Sequence, residues 1–109
     1  MSTIKLVQGD NRPYIKLTLT NADGDPINLS DVDTTIVVYF KAAASSTVLA
    51  TLACSKVGDG STGEVVFGFP GGTLDVPPGN YEGEIEISFG GSIQTVFRPL
   101  NFYIREQFD

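Results

Sequence analysis

The sequence has no histidine and no tryptophan, and its 109 residues include one cysteine and one methionine. The missing histidine removes the usual general base near neutral pH and the commonest zinc ligand. It also excludes a serine-type triad, because no imidazole is there to activate the many serines and threonines. The lone Cys54 excludes an intrachain disulfide, paired-cysteine metal knuckles and iron–sulfur clusters. Positive charge is scarce too: 7 lysines and arginines stand against 13 acidic residues, a net charge of −6. Nucleic acid and anionic membranes both call for clustered cations, so neither is an expected partner. No apolar run nears the roughly 20 residues of a membrane helix. The opening Met1–Asp10 has one lysine and lacks the apolar stretch of a secretory leader. The absence of cystines favours a reducing compartment.

What remains describes a folded module. The chain is 41% hydrophobic and 18% charged, the balance of a globular domain. Its length predicts one domain, residues 1–109, able to bury roughly 65% of its unfolded surface. The pattern is of strands and turns. Pro13–Thr20 alternates Ile15, Leu17 and Leu19 against Tyr14, Lys16, Thr18 and Thr20, the period of a half-buried strand. Thr34–Lys41 is a β-branched and aromatic run expected to be buried on both faces at its centre. Thr47–Cys54 and Glu64–Phe69 read as further strands. Tyr81–Phe89 alternates most cleanly, with Tyr81, Gly83, Ile85, Ile87 and Phe89 inward and Glu82, Glu84, Glu86 and Ser88 outward. Gly90-Gly91 signals a tight hairpin into Ser92–Arg105, where Pro99 marks a bulge or an edge. About seven strands separated by turns every 8–14 residues predict an all-β sandwich.

The turn-rich segments carry a resemblance. Gln8-Gly9-Asp10-Asn11-Arg12-Pro13 leads into a strand, followed by Asp23-Gly24-Asp25-Pro26-Ile27-Asn28-Leu29. Gly63-Glu64-Val65-Val66-Phe67 and Pro78-Gly79-Asn80-Tyr81-Glu82-Gly83-Glu84-Ile85 come next, in that order. Together these resemble the N-terminal domain of phage baseplate upper proteins, over nearly the whole chain. The resemblance implies an immunoglobulin-like antiparallel β-sandwich acting as a tail-associated virion protein. It implies no catalytic residues and a virion location after assembly in the host cytoplasm.

Several motifs invite sharper readings. Gly58-Asp59-Gly60-Ser61-Thr62-Gly63 matches G-x-G-x-x-G, but a dinucleotide site needs a helix next, and strand follows here. Asn21, Asp23 and Asp25 open like a calcium loop, yet Pro26 and Val32 replace the required glycine and glutamate. Glu82, Glu84 and Glu86 lie roughly 7 Å apart along one strand face and read as a solvated outer face. Lys16, Lys41, Arg98 and Arg105 are its candidate partners. A Ser–Lys dyad using Lys41 or Lys56 is the residual nucleophilic option. Cys54, ending an apolar strand, is expected to be a buried, inert thiol.

The expected function is therefore non-enzymatic: a phage virion or tail structural protein working by protein–protein contact with other virion proteins or its own copies. The alternative is a carbohydrate-binding or adhesin-type module, leaning on tyrosine for its aromatic platform. An acidic-residue enzyme would need a pocket holding two carboxylates, one with a strongly perturbed pKa. Phe102, Tyr103, Ile104 and Phe108 crowd the C-terminus and form the candidate interaction surface. No cofactor or metal is expected. Melts with millimolar calcium, zinc or NAD should accordingly overlay the melt without them, and a shift above about 4 °C would contradict this.

Overall fold

The computed structural model describes residues 3–96 and 98–108, and these contain strands and turns but no helix. The strands are β1 (Ile4–Val7), β2 (Tyr14–Thr18), β3 (Thr34–Ala42), β4 (Val48–Lys56), β5 (Glu64–Gly68), β6 (Gly79–Phe89), β7 (Ile93–Thr95) and β8 (Leu100–Arg105). They hydrogen-bond in the order β1-β8-β6-β3-β4-β5-β2, with β7 also on β6. The fold is thus all-β and sandwich-like, as the alternation predicts.

One strand belongs to both layers. β4 pairs with β3 as far as Cys54 opposite Ile36, then sets Ser55 and Lys56 against Val66 and Val65 of β5. The sheet curls over at this point, so β2 and β5 face β3, β6 and β8 across the core. Such a division of neighbours is the immunoglobulin-like arrangement.

Three details depart from the sequence expectation. β1, at the N-terminus, is an additional strand and pairs in parallel with β8, Ile4 opposite Phe102, so the sheet is mixed. The closing segment is two strands on the same edge of β6, not one. Thr95 lies opposite Glu86 and Leu100 opposite Gly83, so five residue steps (95 to 100) span three (86 to 83). The two extra residues fall around Arg98 and Pro99, the bulge expected there; Phe97, within the same segment, lies outside the described residues. Finally, β3 is not buried on both faces. Thr34, Ile36, Val38 and Phe40 are buried, but Val37 and Tyr39 are only half-covered, because their side of the sheet faces solvent.

The core is aromatic. Phe40 stacks on Tyr81 with centroids 5.2 Å apart and planes 7° from parallel. Phe102 and Phe69 meet Phe40 edge-on at 5.5 and 6.3 Å, and Phe67 meets Phe69 at 5.6 Å. Such pairs add about 0.5–1.5 kcal/mol each beyond the area they bury. Gly83 makes the cluster possible. A Cβ there would lie 2.8 Å from Val38 Cγ1 and 3.0 Å from Phe102 Cε2.

Tyr81 is fixed at its polar end as well: its hydroxyl donates to the Pro77 carbonyl, four residues upstream. A tyrosine at the start of this strand, bonded back to the preceding corner, is the tyrosine corner of immunoglobulin-like domains. Burial raises the Tyr81 pKa above its ordinary value. Replacing Tyr81 by Phe keeps the stack but removes this hydrogen bond to the exposed Pro77, at a cost of about 0.5–1.5 kcal/mol. A chemical-denaturation series should show that loss with an unchanged m-value.

Candidate functional site

The four C-terminal residues singled out from sequence do not form one surface. Strand alternation turns Phe102 and Ile104 inward, where they are 1% and 0% exposed, so neither is available to a partner. The surplus of apolar surface anticipated at the C-terminus is absorbed because β1 lies alongside β8 and adds Leu6 to the core. Tyr103 and Phe108 do reach solvent, at 45% and 85% exposure. Tyr103 stands between Lys5 of β1 and Asn80 of β6. Phe108 lies past the strand end under the Arg105 guanidinium, 4.6 Å from its ring centre.

The acidic column is where the alternation put it, on the outer face of β6. Cross-strand register decides which charges are met. Lys41 is directly opposite Glu82 and pairs with it at 2.9 Å. Tyr39 is opposite Glu84 but donates diagonally to Glu86 Oε1, at 2.9 Å. That bond, chiefly, raises the Tyr39 pKa, since ionising it would leave two anions in contact. Glu84 is the most exposed of the three. The other proposed partners are elsewhere: Lys16 bridges Glu64 on β5 at 3.6 Å, and Arg105 donates to the Glu106 carbonyl. Arg98 lines a separate cleft.

The remaining sequence motifs resolve into turns. Gly58–Gly63 is the β4–β5 hairpin, closed by Val57 N–H donating to the Glu64 carbonyl. Gly60 and Gly63 both have positive φ, and a Cβ on either would meet the carbonyl oxygen of Leu29 or Leu19 at 2.9 or 2.8 Å. Asp59 accepts from the Ser61 hydroxyl and amide, which holds its pKa below the ordinary value. Asn21–Asp25 is likewise a tight turn: Asn21 N–H donates to the Asp25 carbonyl, Gly24 N–H to the Asn21 carbonyl, and Asp25 N–H to Asp23 Oδ1. Among the described residues, no group of three or more acidic or cysteine side chains converges as a metal site.

Two concave features stand out among the described residues. A cleft of about 720 Å³ opens between the end of β2 and the β7–β8 edge, floored by Leu17, Leu19, Ile85 and Leu100 and rimmed by Asn21, Gln94 and Arg98. A smaller groove of about 260 Å³ lies beside Tyr14 and Asn11. Tyr14 is 75% exposed, with its ring laid over Gly68, where a Cβ would come within 2.9 Å of Cε1. The glycine is what lets the ring lie flat on the neighbouring strand. Neither feature was foreseen from the sequence.

No protein-family model matches the chain, and no curated protein matches it either.

Cys54 is half-buried, not fully buried as expected, because β4 begins to leave its sheet there. It still packs against the core, and burial raises its thiol from 9.0 to about 11. A thiolate is therefore rarer at neutral pH by about a hundredfold than in a free cysteine, and labelling should slow in proportion. Because the folded-state pKa is the higher one, this thiol's contribution to stability is complete below pH 9 and is lost between 9 and about 11. Stability curves of Cys54→Ala should lack that part of the alkaline loss, and native thiol titration should inflect near 11.

Proposed function

We propose that this domain is a non-catalytic structural module of a phage virion, docking in the tail or baseplate through protein–protein contact. The virion assignment draws its support from the resemblance of the turn segments. The observation that carries the docking role is two exposed aromatic side chains: Tyr103, on a strand locked on both sides by β1 and β6, and Phe108, past that strand's end. Exposed aromatics are the residues that anchor protein interfaces, and Tyr103 is held on both sides by the sheet. Lys5 sits beside Tyr103 and offers a chemical handle on the same surface.

Washed particles of the phage encoding this chain should contain it in fixed stoichiometry by quantitative mass spectrometry. Amine cross-links to other tail proteins should involve Lys5, and Tyr103→Asp should lower incorporation. Absence of the chain from washed particles would overturn the assignment. A glycan-binding role has one observation in its favour, the Tyr14 platform beside Asn11. Tyr14-dependent binding on a glycan array would establish that reading in place of the first.

A further inference from the structure

We infer that the cleft between β2 and β7 is a strand-binding slot, which takes an extended segment of a second polypeptide bearing apolar side chains at alternate positions. Two backbone edges border it, and both lack a neighbouring strand among the described residues. On β2, Leu19 N–H donates to Gly63 on the β5 side. The alternation of an antiparallel ladder then directs the backbone groups of Lys16 and Thr18 the other way, into the slot. On β7, Val96 N–H donates to Ile85 of β6, and the same alternation turns Ile93 and Thr95 outward.

The dimensions agree. No Cα of β2 lies within 8 Å of one in β7, whereas directly paired strands stand about 4.8 Å apart. The gap is too wide for β2 and β7 to join directly, and the space between them is the cleft of about 720 Å³. Gln94 Nε2 reaches across one end to Asn21 Oδ1 at 3.3 Å and closes it. The floor of Leu17, Leu19, Ile85 and Leu100 demands apolar side chains on one face of the occupant, while its other face meets water. In immunoglobulin-like sandwiches the edge of the strand equivalent to β2 is covered by the first strand of the domain. Here β1 lies wholly on β8 and leaves that position open. The exposed Arg98 at the rim complements an acidic residue in the incoming segment. Addition of an extended peptide to an open sheet edge is a recurrent recognition mode, with backbone bonds supplying affinity and alternate side chains the specificity. The slot belongs to the fold and is independent of any role in a virion.

Fusing Thr-Val-Thr-Val-Thr-Gly-Gly-Gly upstream of Met1 offers a strand to the slot without a partner in hand. The fused protein should melt about 4 °C or more above the parent. Its Lys16 and Thr18 amides should exchange at least tenfold more slowly. Thr18→Pro removes an edge donor without touching the β2–β5 ladder and should abolish most of the gain; if that variant does not fold, the exchange rates decide alone. Unchanged melting and exchange in the fused protein, or an undiminished gain with Thr18→Pro, would overturn the proposal. So would a parent protein that is dimeric by light scattering with these amides already protected, since a second copy would then fill the slot.

Discussion

The stack of Phe40 on Tyr81 is the contact on which the rest of the structure depends. It joins β3 to β6, the two longest neighbouring strands of the main sheet, and every other aromatic of the cluster meets one of these rings or a ring that does. In antibody domains a disulfide and a tryptophan occupy the equivalent centre. Here two residues beyond the corner tyrosine, where a cysteine would stand, the chain has Gly83, and the space is taken by Val38 and Phe102. The centre is therefore held by shape complementarity instead of a covalent bond. That choice suits a chain with one cysteine, and it makes the core intolerant of even one added carbon at Gly83.

The same alternation that fills the core leaves an outer face of mixed character. Three glutamates run down β6, yet register gives each a different environment: Glu82 faces Lys41, Glu86 accepts from Tyr39, and Glu84 has the greatest exposure. Sheet edges are handled in a comparable, uneven way. β1 and β2 each carry a lysine, Lys5 and Lys16, the side chain that most discourages unwanted strand pairing. β7, Ile93–Thr95, carries no charge at all. Among the described strands, β7 is thus the less guarded of the two edges beside the cleft, in a chain whose net charge is −6.

Local patterns were readable where they depend on neighbours in the chain. The alternation of Tyr81–Phe89 placed every inward and outward side chain, and the glycines of Gly58–Gly63 announced a turn. What failed to show were features that depend on distant pairing. Ile4–Val7 is too short to declare itself as a strand, and nothing in it names β8 as a parallel partner. Without β1 in view, Phe102 and Ile104 looked like surplus apolar surface, when they are core. The half-burial of Cys54 had the same origin, since the departure of β4 toward β5 is a tertiary event. One signal was present and passed over. The four-residue spacing from Pro77 to Tyr81, entering a clean strand, marks a tyrosine corner.

The parallel pairing of β1 with β8 also bears on how the chain reaches this state. Ile4 and Phe102 are partners 98 positions apart (102 − 4), so the first strand made is among the last to find its neighbour. At translation rates of about 5–20 residues per second, Leu6 waits roughly 5–20 s before its half of the core exists. Contacts of this span are slow to form even in a free chain. Closure of the sandwich by β1 therefore waits until β8 has been made.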